Sequence, residues 1–231
     1  MSYFYQPEIL TYPFLEEDEF THCSKVLRKK EGDIINVLDG KGNLAESRLK
    51  HISKKKAELE ILHILKIPKK AFTTHLAIAP TKNQDRIEWL VEKSVELGVD
   101  EISFFITSNS ERPRINIKRI EKKVVSALKQ SKSGYLTKIN PPLKFSEFIR
   151  ENGETEKYIA IVEKGLPYFS DVLKPSGNYL ILVGPEGDFT KEESHLCKEL
   201  GYTKVSLGST VLRTETAGLM AVHFTNVVNA Y

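Results

Sequence analysis

Two short apolar runs late in the chain end in glycine. Leu180 to Val183 leads into Gly184-Pro185-Glu186-Gly187-Asp188, and Val205 to Leu207 leads into Gly208, followed by Val211-Leu212-Arg213-Thr214-Glu215-Thr216-Ala217. Glycine lets the backbone turn sharply and approach a ligand that any side chain would obstruct. Pro185 stiffens the first turn. Two strands that end side by side in such loops hold a flat, polar small molecule mainly with main-chain groups, in the crevice at the carboxyl ends of an open sheet. Taken singly, each loop also reads as an ordinary strand-to-helix turn. There is no Gly-Lys-Ser or Gly-Lys-Thr and no Gly-x-Gly-x-x-Gly, which disfavours a phosphate-rich cofactor.

A second chemical feature is charge. The net charge is only +3, but between Ser108 and Asn140 nine Lys or Arg (Arg112, Arg114, Lys118, Arg119, Lys122, Lys123, Lys129, Lys132, Lys138) face only Glu111 and Glu121. Cations confined to one region give the salt-sensitive phosphate attraction that RNA binding requires, or simply a solvated face. The triplets Arg28-Lys29-Lys30 and Lys54-Lys55-Lys56 carry the same two readings. Cys23 and Cys197 lack paired spacing, and the six histidines form no ligand cluster, so neither metal nor redox chemistry is expected.

The elements that must position these residues follow from periodicity. Residues 1 to about 68 read as short strands and turns with one helix near Glu16 to Lys29. Ile34 to Leu38 and Ala57 to Ile64 are strands, and Asp39-Gly40-Lys41-Gly42-Asn43 is a turn. Pro68 is the expected linker, giving a small β domain over 1–68 and a second domain over 69–231. The second alternates strands (Leu76 to Ala79, Ile102 to Ile106, Ile159 to Val162, Leu180 to Val183, Lys204 to Leu207) with helices (Asp85 to Leu97, a basic helix from Lys118 to Ser131, and one starting at Thr190 with Glu193 completing a capping box). That alternation predicts an α/β fold with a mostly parallel sheet. Thr214 to Asn229 is apolar nearly all round, which predicts a helix buried in the core or against a second subunit. No apolar run approaches the length of a membrane span, and the acidic amino terminus (Glu8, Glu16, Glu17, Asp18, Glu19) lacks the order of a signal peptide, so a cytoplasmic protein is expected.

Leu182-Val183-Gly184-Pro185-Glu186-Gly187, Leu207-Gly208 and Val211-Leu212-Arg213-Thr214-Glu215-Thr216-Ala217 together resemble the SPOUT class of methyltransferases. Within it they resemble the RsmE family of 16S rRNA uridine-N3 methyltransferases. The likeness extends through His22, Val26-Leu27-Arg28, Gly32-Asp33 and Asp39-Gly40-Lys41-Gly42, where the chain is similar to the family's PUA-like domain. It continues through Glu92-Lys93-Ser94-Val95-Glu96-Leu97-Gly98-Val99 and Ser110-Glu111-Arg112. The resemblance implies a trefoil-knotted α/β domain that binds S-adenosylmethionine, a homodimer, and 16S rRNA in the small ribosomal subunit as substrate. It places the cofactor against Leu182, Gly184, Pro185, Glu186 and Gly187, with Leu207, Gly208, Leu212, Thr216 and Ala217 completing the pocket. Where the family's pattern reads Glu-Gln-Ser-Gly-Arg, this chain has Lys129-Gln130-Ser131-Lys132-Ser133-Gly134-Tyr135, and Ser209-Thr210 stand where an arginine is common. These departures fall on expected RNA contacts, with Lys132 a stand-in for the lost charge.

Methyl transfer from a sulfonium to uracil N3 is an in-line displacement on a nitrogen that is a poor nucleophile while protonated. An arginine aimed at a uracil carbonyl stabilises the imide anion by charge-assisted hydrogen bonding. Arg213 and Arg112 are the candidates. Glu215 either orients Arg213, acts as a base, or is a helix-start carboxylate without a chemical role. Arg28, Arg114, Lys118, Arg119, Lys122, Lys123 and Lys132 are the expected RNA contacts. A methyltransferase for another RNA such as tRNA, and a non-catalytic RNA-binding assembly factor, are the alternatives.

Overall fold

The computed structural model describes residues 2–111, 115–150, 153 and 155–230. The chain divides into two compact units, one of Met1–Lys69 with Val125–Leu136, the other of Lys70–Val124 with Thr137–Tyr231.

The first unit is built on a five-stranded sheet of β1 (Tyr3–Tyr5), β2 (Phe14–Glu16), β3 (Ile34–Leu38), β4 (Asn43–Ile52) and β5 (Lys56–Lys66), in the order β1-β3-β4-β5-β2. Only β1 and β3 pair in parallel; the other pairs are antiparallel. Phe4, Ile9, Leu15, Phe20, Cys23, Ile35, Val37 and Leu49 form its core. The single helix expected near Glu16 to Lys29 is instead a short helix, α1 (Glu17–Thr21), running into a π-turn over His22–Val26. The Leu27 N–H reaches back to the His22 carbonyl at 2.9 Å, and Arg28 then takes φ +51°, which ends the helix early.

The second unit carries a wholly parallel sheet of β6 (Thr73–Ile78), β7 (Glu101–Ile106), β8 (Lys138–Lys144), β9 (Glu156–Ala160), β10 (Asn178–Val183) and β11 (Thr203–Val205). Its order is β11-β9-β10-β6-β7-β8. The intervening helices are α2 (Gln84–Glu96), α3 (Ile117–Ser131), α4 (Phe145–Phe148), α5 (Phe169–Val172), α6 (Lys191–Glu199) and α7 (Thr214–Asn229). From Val125 onward α3 is counted with the first unit.

Successive residues of β6 point to opposite faces, as strand geometry requires. Leu76 and Ile78 face α7, where a Cβ on Gly218 would stand 2.9 Å from Ile78 Cδ1. Ala77 and Ala79 join the opposite cluster of Phe105, Phe145, Phe148, Leu182, Cys197 and Tyr202. The absence of a side chain at Gly218 thus sets how closely α7 approaches the sheet. Among the described residues no helix is long and apolar enough to cross a membrane.

Candidate active site

Parallel register brings the strand ends to one rim. Val205 pairs with Ala160, Ala160 with Val183, Val183 with Ile78, and Ile78 with Phe104. The loops that follow β11, β9, β10 and β6 therefore leave the sheet side by side, where ligand crevices of open α/β sheets lie.

The loop after β10 is held by side chains from its neighbours. The Asp188 N–H donates to the Pro185 carbonyl at 2.9 Å, closing the turn, and Asp188 takes φ +54°. Its carboxylate accepts from the Val162 N–H at 3.0 Å and from the Phe189 N–H at 2.8 Å, which ties the loop after β9 to the loop after β10. Asn109, in the loop after β7, donates to the carbonyls of Gly187 and Asp188 at 3.0 Å each. Gly184 is buried, and a Cβ there would meet the Phe189 ring at 3.0 Å. Gly187 is exposed, with its backbone presented to solvent. The capping box at Thr190 is formed, and Glu193 also accepts from the Ser108 N–H at 2.9 Å. A single carboxylate thereby caps α6 and fixes the loop after β7.

The loop after β11 is looser. Ser206 donates through its hydroxyl to the Gly208 carbonyl at 2.9 Å, and Gly208 has φ +153° with no atom within 4 Å of a would-be Cβ. Only glycine takes that conformation readily, and it leaves the backbone open to a ligand. Leu207 and Leu212 are half-buried, Arg213 is exposed at the start of α7, and Thr216 and Ala217 lie half-buried in its first turns.

Leu212, Arg213, Glu215 and Thr216 line a cleft of about 680 Å³ with Asp85, Arg86, Trp89 and Val211. Glu215 is 8% exposed, its Oε2 has no hydrogen-bond partner, and its Oε1 lies 3.7 Å from Arg86 Nε. Its charged neighbour is therefore Arg86. Leu182 is fully buried in β10, and Gly184, Pro185, Glu186 and Gly187 do not line this cleft. Lys82, in the loop after β6, stands 2.9 Å from Glu111, and this hydrogen bond raises the pKa of its ammonium.

Among the expected RNA contacts, Lys118 and Lys122 are exposed. Arg119 lies 2.6 Å from the buried Glu88, and Lys123 lies 3.3 Å from Glu92, so both carry ion pairs to α2. Lys132 has φ +58° and its ammonium sits 5.4 Å from the centre of the Tyr3 ring. Arg28 is exposed at the end of the π-turn. Arg112 and Arg114 lie outside the described residues. No group of three His, Cys, Asp or Glu stands close enough to hold a metal ion among the described residues.

Asn109, Arg86 and Trp89 are absent from the residues picked out by sequence, and Asp188 stands there only as the end of the glycine loop, without a role. A signal existed for two of them. Thr107-Ser108-Asn109-Ser110 is a run of short polar side chains just past a strand, and the chain's one tryptophan sits at an exposed helix position beside Leu90 and Val91, which are fully buried.

Residues 68–226 match the model of the RNA methyltransferase domain, and residues 15–62 that of the RNA methyltransferase PUA domain. The chain is 30% identical over 213 residues to a ribosomal RNA small subunit methyltransferase E of Rickettsia conorii, covering 90% of this chain and 86% of the relative. Among solved structures it is similar to a probable rRNA-methyltransferase from Porphyromonas gingivalis, with TM-score 0.91, 34% identity, and coverage of 100% of this chain and 99% of that one. It is also similar to a ribosomal RNA small subunit methyltransferase E from Neisseria gonorrhoeae bound to S-adenosyl methionine, with TM-score 0.88, 32% identity, and coverage of 99% and 98%.

Proposed function

Because the chain belongs to the RNA methyltransferase family, in the branch that contains ribosomal RNA small subunit methyltransferase E, we propose that it transfers a methyl group from S-adenosylmethionine to N3 of a uridine in 16S rRNA of the small ribosomal subunit. The observation that carries this reading is the common rim. Two glycine loops and Arg213 leave the parallel sheet beside one another, within the segment that matches the methyltransferase domain.

The residues at the rim fit the cofactor. Gly187 presents backbone without a side chain, Gly208 has open space above it, and Leu207 and Leu212 supply apolar surface, while the buried Leu182 and Gly184 hold the rim from beneath. Pro185 and Glu186 complete one wall, and Thr216 and Ala217 the other. When bound, S-adenosylmethionine supplies a methyl group made electrophilic by its sulfonium. The protein's part is to present uracil N3 in line and to stabilise the anion left when that nitrogen gives up its proton to solvent. Arg213 does this by pairing with a uracil carbonyl oxygen, with Arg112 as the second cation. Glu215 pairs with Arg86 in the cleft and orients it.

To reach the methyl group the base leaves its stack, and phosphates on either side are held by Lys118, Lys122 and the amino-terminal unit. The protein works as a homodimer in the cytoplasm. Support for the dimer comes from α7, where Leu219, Met220 and Phe224 are half-buried and Val227 is exposed despite an apolar sequence. The trefoil threading belongs to the same reading. It is supported by the return of the chain from the edge strand β11 to α7, which packs on the central strands β6 and β10.

The test is to incubate the protein with labelled S-adenosylmethionine and small subunits lacking the modification, then identify the labelled nucleoside by mass spectrometry. Label in N3-methyluridine of 16S rRNA is the expected result. Label in tRNA, or cofactor binding without transfer, overturns the substrate.

A further inference from the structure

The chain's one tryptophan, Trp89, lies off the apolar stripe of its helix. That stripe, Ile87, Leu90, Val91 and Val95, is buried, with Leu90 close against Gly218 of α7, whereas Trp89 is 44% exposed. Its neighbours on the same helix face are all charged: Asp85 and Arg86 one turn before it, Glu92 and Lys93 one turn after. Among the described residues the indole meets no other aromatic ring, and its N–H has no hydrogen-bond partner.

The turn that carries this ring is fixed. Asn83 caps α2 by accepting from the Asp85 N–H at 2.9 Å, and the adjoining Glu88 is buried with Arg119 at 2.6 Å. Arg86 Nε lies 3.7 Å from Glu215, which holds that guanidinium at the same place. Trp89 and Arg86 share their cleft of about 680 Å³ with Val211, Leu212 and Arg213, a size usual for sites that take small molecules. A rigid aromatic face and two guanidinium groups therefore line one cavity. Gly184 to Gly187 do not line it, so the ring is not placed for the cofactor.

We propose that Trp89 is the platform on which the target uracil stacks after leaving the RNA helix, with the oriented Arg86 donating to a carbonyl oxygen on its edge. The inference rests on the RNA-methyltransferase reading and names the residue that receives the reacting base. Splayed-out bases are held by stacking on aromatic rings and by hydrogen bonds to their edges. Stacking accepts any base, so choice falls to the guanidinium donors. Uracil offers them two carbonyl oxygens, where cytosine replaces one by an amino group that also donates. A second copy of the chain is the rival occupant. It would bury Asp85, Glu92 and Lys93 along with the ring, and the cores of subunit interfaces are depleted in such charges.

The experiment compares the full chain with Trp89→Ala, Trp89→Leu and Trp89→Phe, using undermethylated small subunits. In the Ala and Leu variants kcat/KM should fall about tenfold to a hundredfold, the range for losing one base–aromatic stack, while Trp89→Phe stays within about threefold of wild type. Affinity for S-adenosylmethionine should not change. Equal activity of the Leu and Phe variants would reduce the ring to apolar filling and overturn the proposal, as would a loss of cofactor affinity. Because the tryptophan is single, its emission reports on this cleft alone. The protein by itself should emit as a water-exposed indole at every concentration. A buried-indole spectrum, or a blue shift as concentration rises, means that a second copy covers the ring and also overturns the proposal. If the wild type transfers no methyl group to 16S rRNA, the functional reading fails. Quenching of the emission by oligouridylate, but not by an abasic strand of equal length, would then still support the base platform, and no quenching would remove it too.

Discussion

The side-chain amide of Asn109 donates to the carbonyl of Gly187 at 3.0 Å, and the same nitrogen reaches the Asp188 carbonyl, also at 3.0 Å. One residue from the loop after β7 therefore fixes the exposed backbone of the loop after β10, where glycine alone would leave it mobile.

Asn109→Ala is expected to weaken S-adenosylmethionine binding about tenfold while costing about 1 kcal/mol or less of stability, since the freed carbonyls face water. Titration calorimetry and thermal melting check the two parts. Unaltered cofactor affinity would show that the loop keeps its shape without the clamp.

Arg213 is exposed and makes no side-chain cap to α7, so its removal should leave the fold intact. Arg213→Ala is expected to lower methyl transfer by about 10²–10³-fold, the range for losing one preorganised donor to a developing anion. Circular dichroism and cofactor binding serve as controls, and wild-type turnover would sink its assignment.

Arg86 is the charged neighbour of the buried Glu215, at 3.7 Å. Arg86→Ala strands that carboxylate and is expected to cost about 1–3 kcal/mol, whereas Arg86→Ala combined with Glu215→Gln should recover most of the loss. Urea unfolding of the single and double variants measures the coupling. Additive losses would mean that the two side chains do not interact.

Burial pushes the Cys23 thiol up to about 11 and the Cys197 thiol up to about 12, from an ordinary 9.0. Because the fold favours the protonated thiols, their contribution to stability is fully present below pH 9 and is lost as pH rises through 11 to 12. The urea midpoint of the wild type should therefore fall more steeply over that window than that of Cys23→Ala/Cys197→Ala. At neutral pH both thiols should resist alkylation until the chain unfolds.

Much of the second unit was legible because its signals are local. α7 runs over Thr214–Asn229 as its apolar pattern predicts, the Thr190–Glu193 box forms, and Gly98 ends its helix with φ +77°. β8 carries no strand signal in the sequence, because Pro141-Pro142 lie in its middle. At the edge of a sheet a proline costs no ladder bond on its outer side. β4 was missed for another reason. Its inward residues include Asn43 and Ser47, which blur the alternation of apolar and polar. At the candidate site the glycines announced themselves. The bonds that shape the loops, Asn109 to Gly187 and Asp188 to Val162, join residues from different loops, and no local pattern encodes such pairs.

The position of Pro141 and Pro142 has a consequence for behaviour in a crowded cell. An open parallel sheet has two free margins onto which another chain could polymerise as an added strand. Here one margin, β11, is only three residues long, and the other, β8, carries two prolines flanked by Lys138 and Lys144. Neither offers an uninterrupted row of amide groups, so the unit is guarded against fibril-like self-association even at high concentration.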